Sequence, residues 1–221
     1  MLVHQLMPAH YALENLQNRR LKVSLLNDLN DPFELIGARM ERSGIRRQMR
    51  EWKNHMAEIT RLLCFSKKFS NPVLWSHYAD KHRGVCLAFE IPDDYLHEVT
   101  YASARLGLDL EQEVSRPGGI SEQHAFSLLT TKFLDWQYEE EVRMFVKPHE
   151  VLHVGDLQFF PFSNLLSLRK ILLGPRCNLD LQTIRAALQP QDRQVEIHST
   201  RLAFQSYRVI RTPYLPIHAR S

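Results

Sequence analysis

Glycine is scarce in this chain and cysteine scarcer. Only 8 of the 221 residues are glycine and none is suitably grouped, so no glycine-rich phosphate loop is available. The three cysteines, Cys64, Cys86 and Cys177, are odd in number, far apart and without metal-type spacing. Cys64 and Cys86 lie in apolar, strand-like runs and read as small buried hydrophobes of a reducing compartment. No histidine pair is read as a zinc-hydrolase motif, and no metal site is expected. No serine sits in a nucleophile elbow. Long apolar runs are missing, as is a basic-then-apolar N-terminal layout, so the expectation is a cytoplasmic protein without a membrane partner.

What remains is an ordinary globular composition, 44% hydrophobic and 24% charged. The formal charge of +3 permits an anionic partner without demanding one. With no repeat, low-complexity tract or linker, residues 1–221 read as a single α+β domain. The expected core is a central, split, mostly antiparallel sheet flanked by helices.

The chain opens as strand, helix, strand: Leu2 to Leu6 alternates, Pro8 starts a helix, and "LKVSLL" follows as a strand. "NDLNDPFE" is loop chemistry. Met40 to Thr60 is a polar helix with a thin apolar stripe, read as solvated rather than as a nucleic-acid contact. Strands are expected over Leu62–Ser66, Val85–Ile91 and Val142–Val146. A helix capped by Ser121 should precede the last of these. "LRKILLGP", "NLDLQTIRAALQ" and "VEIHSTRLAFQSYRVIRTPY" then read as strand, helix and two strands.

Three clusters bear polar chemistry. In "NDPFE", Asn30 and Asp31 can bond their own backbone while Phe33 plugs into the core, and Asn30 is also a binding candidate. In "FSNPVLWSHYAD", Asn71 and Pro72 start a short helix over Trp75 to Asp80. Trp75, Tyr78 and Ala79 share one of its faces, while Ser76 and His77 diverge. Beside Ser66, the indole and phenol suit a flat ring or, equally, fill the core. In "WQYEEEVRMF", strand alternation sends Glu139, Glu141 and Arg143 to one side. Arg143 can hold a carboxylate there, giving a general base or charge stabiliser, or simply a solvated edge pair.

"NDPFE", then "CFS" with "LWSHYADKHRGVCLAFEI", then "WQYEEEVR" before an apolar strand, resembles the bacterial domain-of-unknown-function family 2971. More distantly, the plan resembles the ADP-ribosyltransferases. That likeness implies His4 on a first strand, with Ser66, Trp75, Ser76 and Tyr78 gripping the nicotinamide end of NAD. Glu141 would stabilise the ribosyl cation, and Glu139 would orient or deprotonate a protein or nucleic-acid acceptor. The activity implied is NAD-dependent ADP-ribosyl transfer by a bacterial toxin or defence effector. A different class stays open beside it: a non-catalytic nucleotide- or nucleic-acid-binding module on a degenerate transferase fold.

Overall fold

The computed structural model describes residues 1–213, so Tyr214, the last residue of the final strand-like run, lies outside the described residues. The architecture is mixed α+β, and the chain divides into two compact units with interleaved segments.

The first unit comprises residues 1–20, 66–91 and 162 onward. Its sheet runs in the order Val209–Arg211, Glu196–Leu202, Ser167–Leu173, Val85–Glu90, Leu2–Met7. Three of the four pairings are antiparallel. The exception, Ser167–Leu173 beside Glu196–Leu202, is parallel and therefore needs a crossover, which carries the helix Leu181–Ala187. Asp180 starts that helix by accepting from the Thr183 N–H at 2.6 Å. Val85–Glu90 is central, and its apolar run Val85 to Phe89 is buried on both faces.

The helix expected from Asn71 spans Pro72–Tyr78, with the Asn71 side chain accepting from the Val73 N–H at 2.9 Å. It ends before Asp80, because Asp80, Lys81 and His82 all take positive φ. This left-handed turn leaves no room at Gly84, where a Cβ would stand 2.1 Å from the Met7 carbonyl oxygen.

The second unit comprises residues 21–65 and 92–161. Arg61–Ser66, Glu141–Val146 and His97–Glu98 lie side by side. Thr100–Ala102 pairs with Thr131–Phe133 in parallel, and Leu152–Val154 with Leu157–Pro161 in a hairpin turned at Gly155, whose φ is +58°. Helix Ser43–Ile59 buries Met49 against Ala38, Leu110 and Leu128, while Trp52 and Met56 pack on Leu26, Leu35 and Leu62. The solvated-helix reading thus fits its outer face. "LKVSLL" is a shorter strand than expected: it covers Arg20–Lys22, and Leu26 already begins a 3₁₀ turn.

Candidate functional site

The polar centre of the second unit is a buried ion cluster around Arg143. Its guanidinium is 0% exposed and spends all five N–H donors. Nε donates to Glu141 Oε1 at 2.8 Å and Nη2 to Glu141 Oε2 at 3.3 Å. Nη2 and Nη1 donate to Glu34 Oε1 and Oε2 at 2.7 and 3.0 Å. The fifth hydrogen goes from Nη1 to the Leu129 carbonyl at 2.7 Å. A planar fork between two carboxylates is a geometry that lysine cannot copy.

Lys132 completes the cluster. Its ammonium lies 2.6 Å from Glu139, 3.1 Å from Glu141 and 3.6 Å from Glu34. It also sits over the Trp136 ring, 4.7 Å from the centroid. Lys132 is placed by the strand Thr131–Phe133, where it pairs with Tyr101. The Tyr101 hydroxyl accepts from the Glu141 N–H at 2.8 Å, and burial pushes that phenol up to about 12. Two carboxylate-bearing turns are strained on either side. Leu35, next to Glu34, has φ +65°, and Glu140, between Glu139 and Glu141, has φ +43°.

Charge sets the protonation. Burial alone raises the Glu141 carboxyl, but Arg143 and Lys132 beside it outweigh burial and hold it well below the usual carboxylate range. Burial opposes the Lys132 ammonium too, yet Glu141, Glu139 and Glu34 hold it charged above its ordinary range. Burial and then the Glu141 charge push the Cys64 thiol well up, which disfavours its thiolate.

Beside the cluster is a pocket of 390 Å³. Its walls include Asp31, Phe33, Arg105, Thr131, Lys132 and Phe133. Phe33 is 57% exposed, which corrects the expectation that it plugs into the core. The Asp31 carboxylate accepts the Phe33 N–H at 2.9 Å, and this turn presents the ring outward under the Arg105 guanidinium, 5.4 Å away. Lys132 lines the pocket; Glu139 and Glu141 do not.

The residues singled out from the sequence fall into two groups. Asn30, Glu139, Glu141 and Arg143 belong to the second unit, and His4, Ser66, Trp75, Ser76 and Tyr78 to the first. His4 pairs with Ser66, its Nδ1 3.3 Å from the Ser66 carbonyl oxygen. The Ser66 hydroxyl donates to the Lys68 carbonyl at 2.7 Å. Trp75 is fully buried and donates its indole N–H to the Phe69 carbonyl at 2.6 Å, the packing of a core residue. Ser76 donates to the Pro72 carbonyl and lies 3.1 Å from His82 Nε2. Tyr78 is partly exposed. Glu139 reaches the cluster differently from the expectation: it ends a 3₁₀ turn, and the left-handed Glu140, not strand alternation, turns it inward.

The sequence reading gave no role to Lys132 or to Glu34, the last residue of "NDPFE". A partial signal for Lys132 was available, since glutamates sent inward together are stabilised by a nearby cation and "TTKFLDWQYEEE" contains one. Glu34 gave no signal, because only folding brings it to Arg143. "HEVLH", His149 to His153, has the spacing of a zinc-hydrolase motif, which reading no such pair overlooked. It lies on a 3₁₀ turn running into the strand Leu152–Val154, not on the helix that would align two imidazoles. Comparison with protein-family models, curated proteins and solved structures found no match for the chain.

Proposed function

We propose that the second unit is a non-catalytic binding module for a nucleotide-type ligand, one that joins a flat ring to an anionic group. The observation that carries this reading is the exposed Phe33 ring in the pocket wall with the exposed Arg105 guanidinium 5.4 Å from its centroid. Lys132 also lines the pocket, but its ammonium is already matched by Glu139, Glu141 and Glu34, which leaves Arg105 as the cation for an anionic group. The exposed rings of Phe33 and Phe133 offer apolar faces, and Arg105 adds an exposed cation. The pocket volume lies within the range of small-molecule sites, roughly 300–1,000 Å³. Titrating NAD, ADP-ribose and AMP into the protein by calorimetry tests it. Saturable binding that weakens in Phe133→Ala supports the reading, and no heat from any of the three opposes it.

NAD-dependent ADP-ribosyl transfer is the second reading, and one observation favours it. Three carboxylates against two cations leave the cluster one negative charge in excess when all are ionised. A developing ribosyl cation would be stabilised by that excess. Against it, Glu141 spends its oxygens on Arg143 and Lys132 rather than on the pocket. Nicotinamide release from NAD separates the two readings.

A further inference from the structure

In the first unit, the strands Glu196–Leu202 and Val209–Arg211 form an antiparallel hairpin. Its tip carries Phe204 and Tyr207, exposed by 91% and 97%. A large ring left in water forgoes the roughly 1.5–3 kcal/mol that burial would supply, and here two stand three residues apart. The tip is nonetheless built: the Ala203 N–H donates to the Arg208 carbonyl and the Arg208 N–H to the Ser206 carbonyl, each at 2.9 Å. Its base is tied down by the Val209 N–H on the Ser70 carbonyl and the Thr212 N–H on the Ser199 carbonyl, both at 2.8 Å.

Arginine surrounds the rings. Arg201, Arg208 and Arg211 flank the tip, and residues 197–213 contain no aspartate or glutamate. The Arg201 guanidinium lies over the Phe204 ring, 4.8 Å from its centroid. Its side chain donates to the Leu202 carbonyl at 3.1 Å, and no carboxylate meets any of the three among the described residues.

We propose that this hairpin tip docks single-stranded nucleic acid, with bases stacking on Phe204 and Tyr207 and phosphates on Arg201, Arg208 and Arg211. Exposed rings interleaved with cations that meet no carboxylate among the described residues are the two elements that sequence-tolerant single-strand binding requires. A second copy of the chain fits less well, because an isologous contact would set three arginines against three. An anionic bilayer also fits less well, since Gln205 and Ser206 sit between the rings and would have to leave water. The proposal is independent of the pocket in the second unit and stands or falls separately.

Fluorescence anisotropy of the 221-residue protein with labelled dT12, U12 and a 12-base-pair duplex tests it. The expected result is binding of both single strands in preference to duplex. Phe204→Ala and Tyr207→Ala should each weaken it by roughly tenfold. The Arg208→Glu, Arg211→Glu variant should flatten the salt dependence by about 1.4 in the slope of log affinity against log salt. Because the substituted side chains project into water, unchanged circular dichroism is expected and excludes misfolding as the cause. Equal binding by wild type and variants, or none by either, overturns the proposal. So does co-flotation with phosphatidylserine vesicles, or dimerisation in sedimentation, if it is lost in the variants while oligonucleotides do not bind.

Discussion

Arg143 and Glu34 lie 109 residues apart in sequence and meet through two parallel hydrogen bonds of 2.7 and 3.0 Å. The pair ties the turn after Asp31 to the strand Glu141–Val146 in the interior of the second unit. Burying ions is costly, and the cost is offset only because every guanidinium hydrogen finds an acceptor.

Removing Arg143 therefore strands two carboxylates. Arg143→Met should lower stability by about 3–5 kcal/mol in urea unfolding. Adding Glu34→Gln and Glu141→Gln should restore part of the loss, because the uncompensated charges go with them. A triple variant no better than Arg143→Met contradicts an electrostatic origin.

Acid should loosen the same unit. The folded state depresses Glu141, so its contribution is complete above its ordinary value near 4.5 and fades as pH falls toward about 2. Lys132 is raised, so its contribution is complete below its ordinary value near 10.5 and is lost only as pH climbs beyond that. Melting temperature followed from pH 2 to 6 should fall with acid, less steeply in Glu141→Gln.

The sharp turn of the first unit makes a steric prediction. Gly84→Ala sets a Cβ against the Met7 carbonyl oxygen and the Ala79 backbone, neither of which is a flexible side-chain end. It should destabilise by about 1–3 kcal/mol or more. Gly174→Ala should do likewise and alter Trp75 fluorescence, since its Cβ would press on the indole from 3.0 Å.

Thiol reactivity should be low at neutral pH. Burial raises Cys64, Cys86 and Cys177 above the ordinary thiol range, so native protein should alkylate slowly and unfolded protein fast. Rapid labelling of Cys64 in the folded protein would contradict the closed cluster.

Locally determined features were the legible ones. Asn71 and Pro72 start a helix, Ser121 caps another, and Arg143 reaches Glu141 across a two-residue strand spacing. Features decided by long-range packing were not. The aromatic pair in "WSHY" carries no mark that Trp75 is wholly buried, and Phe33 none that a turn aims it at solvent. The Glu34–Arg143 contact depends on a turn strained at Leu35, a conformation no propensity for leucine would suggest.

The central claim is that the second-unit pocket binds a nucleotide-type ligand without processing it. Calorimetry with NAD, run beside a nicotinamide-release assay on the same sample, tests both halves at once. The account predicts saturable binding that is weakened about tenfold by Phe133→Ala, unchanged by Tyr78→Ala, and free of nicotinamide release. Nicotinamide release that falls by about two to three orders of magnitude in a folded Glu141→Gln protein would contradict it and establish the transferase reading instead.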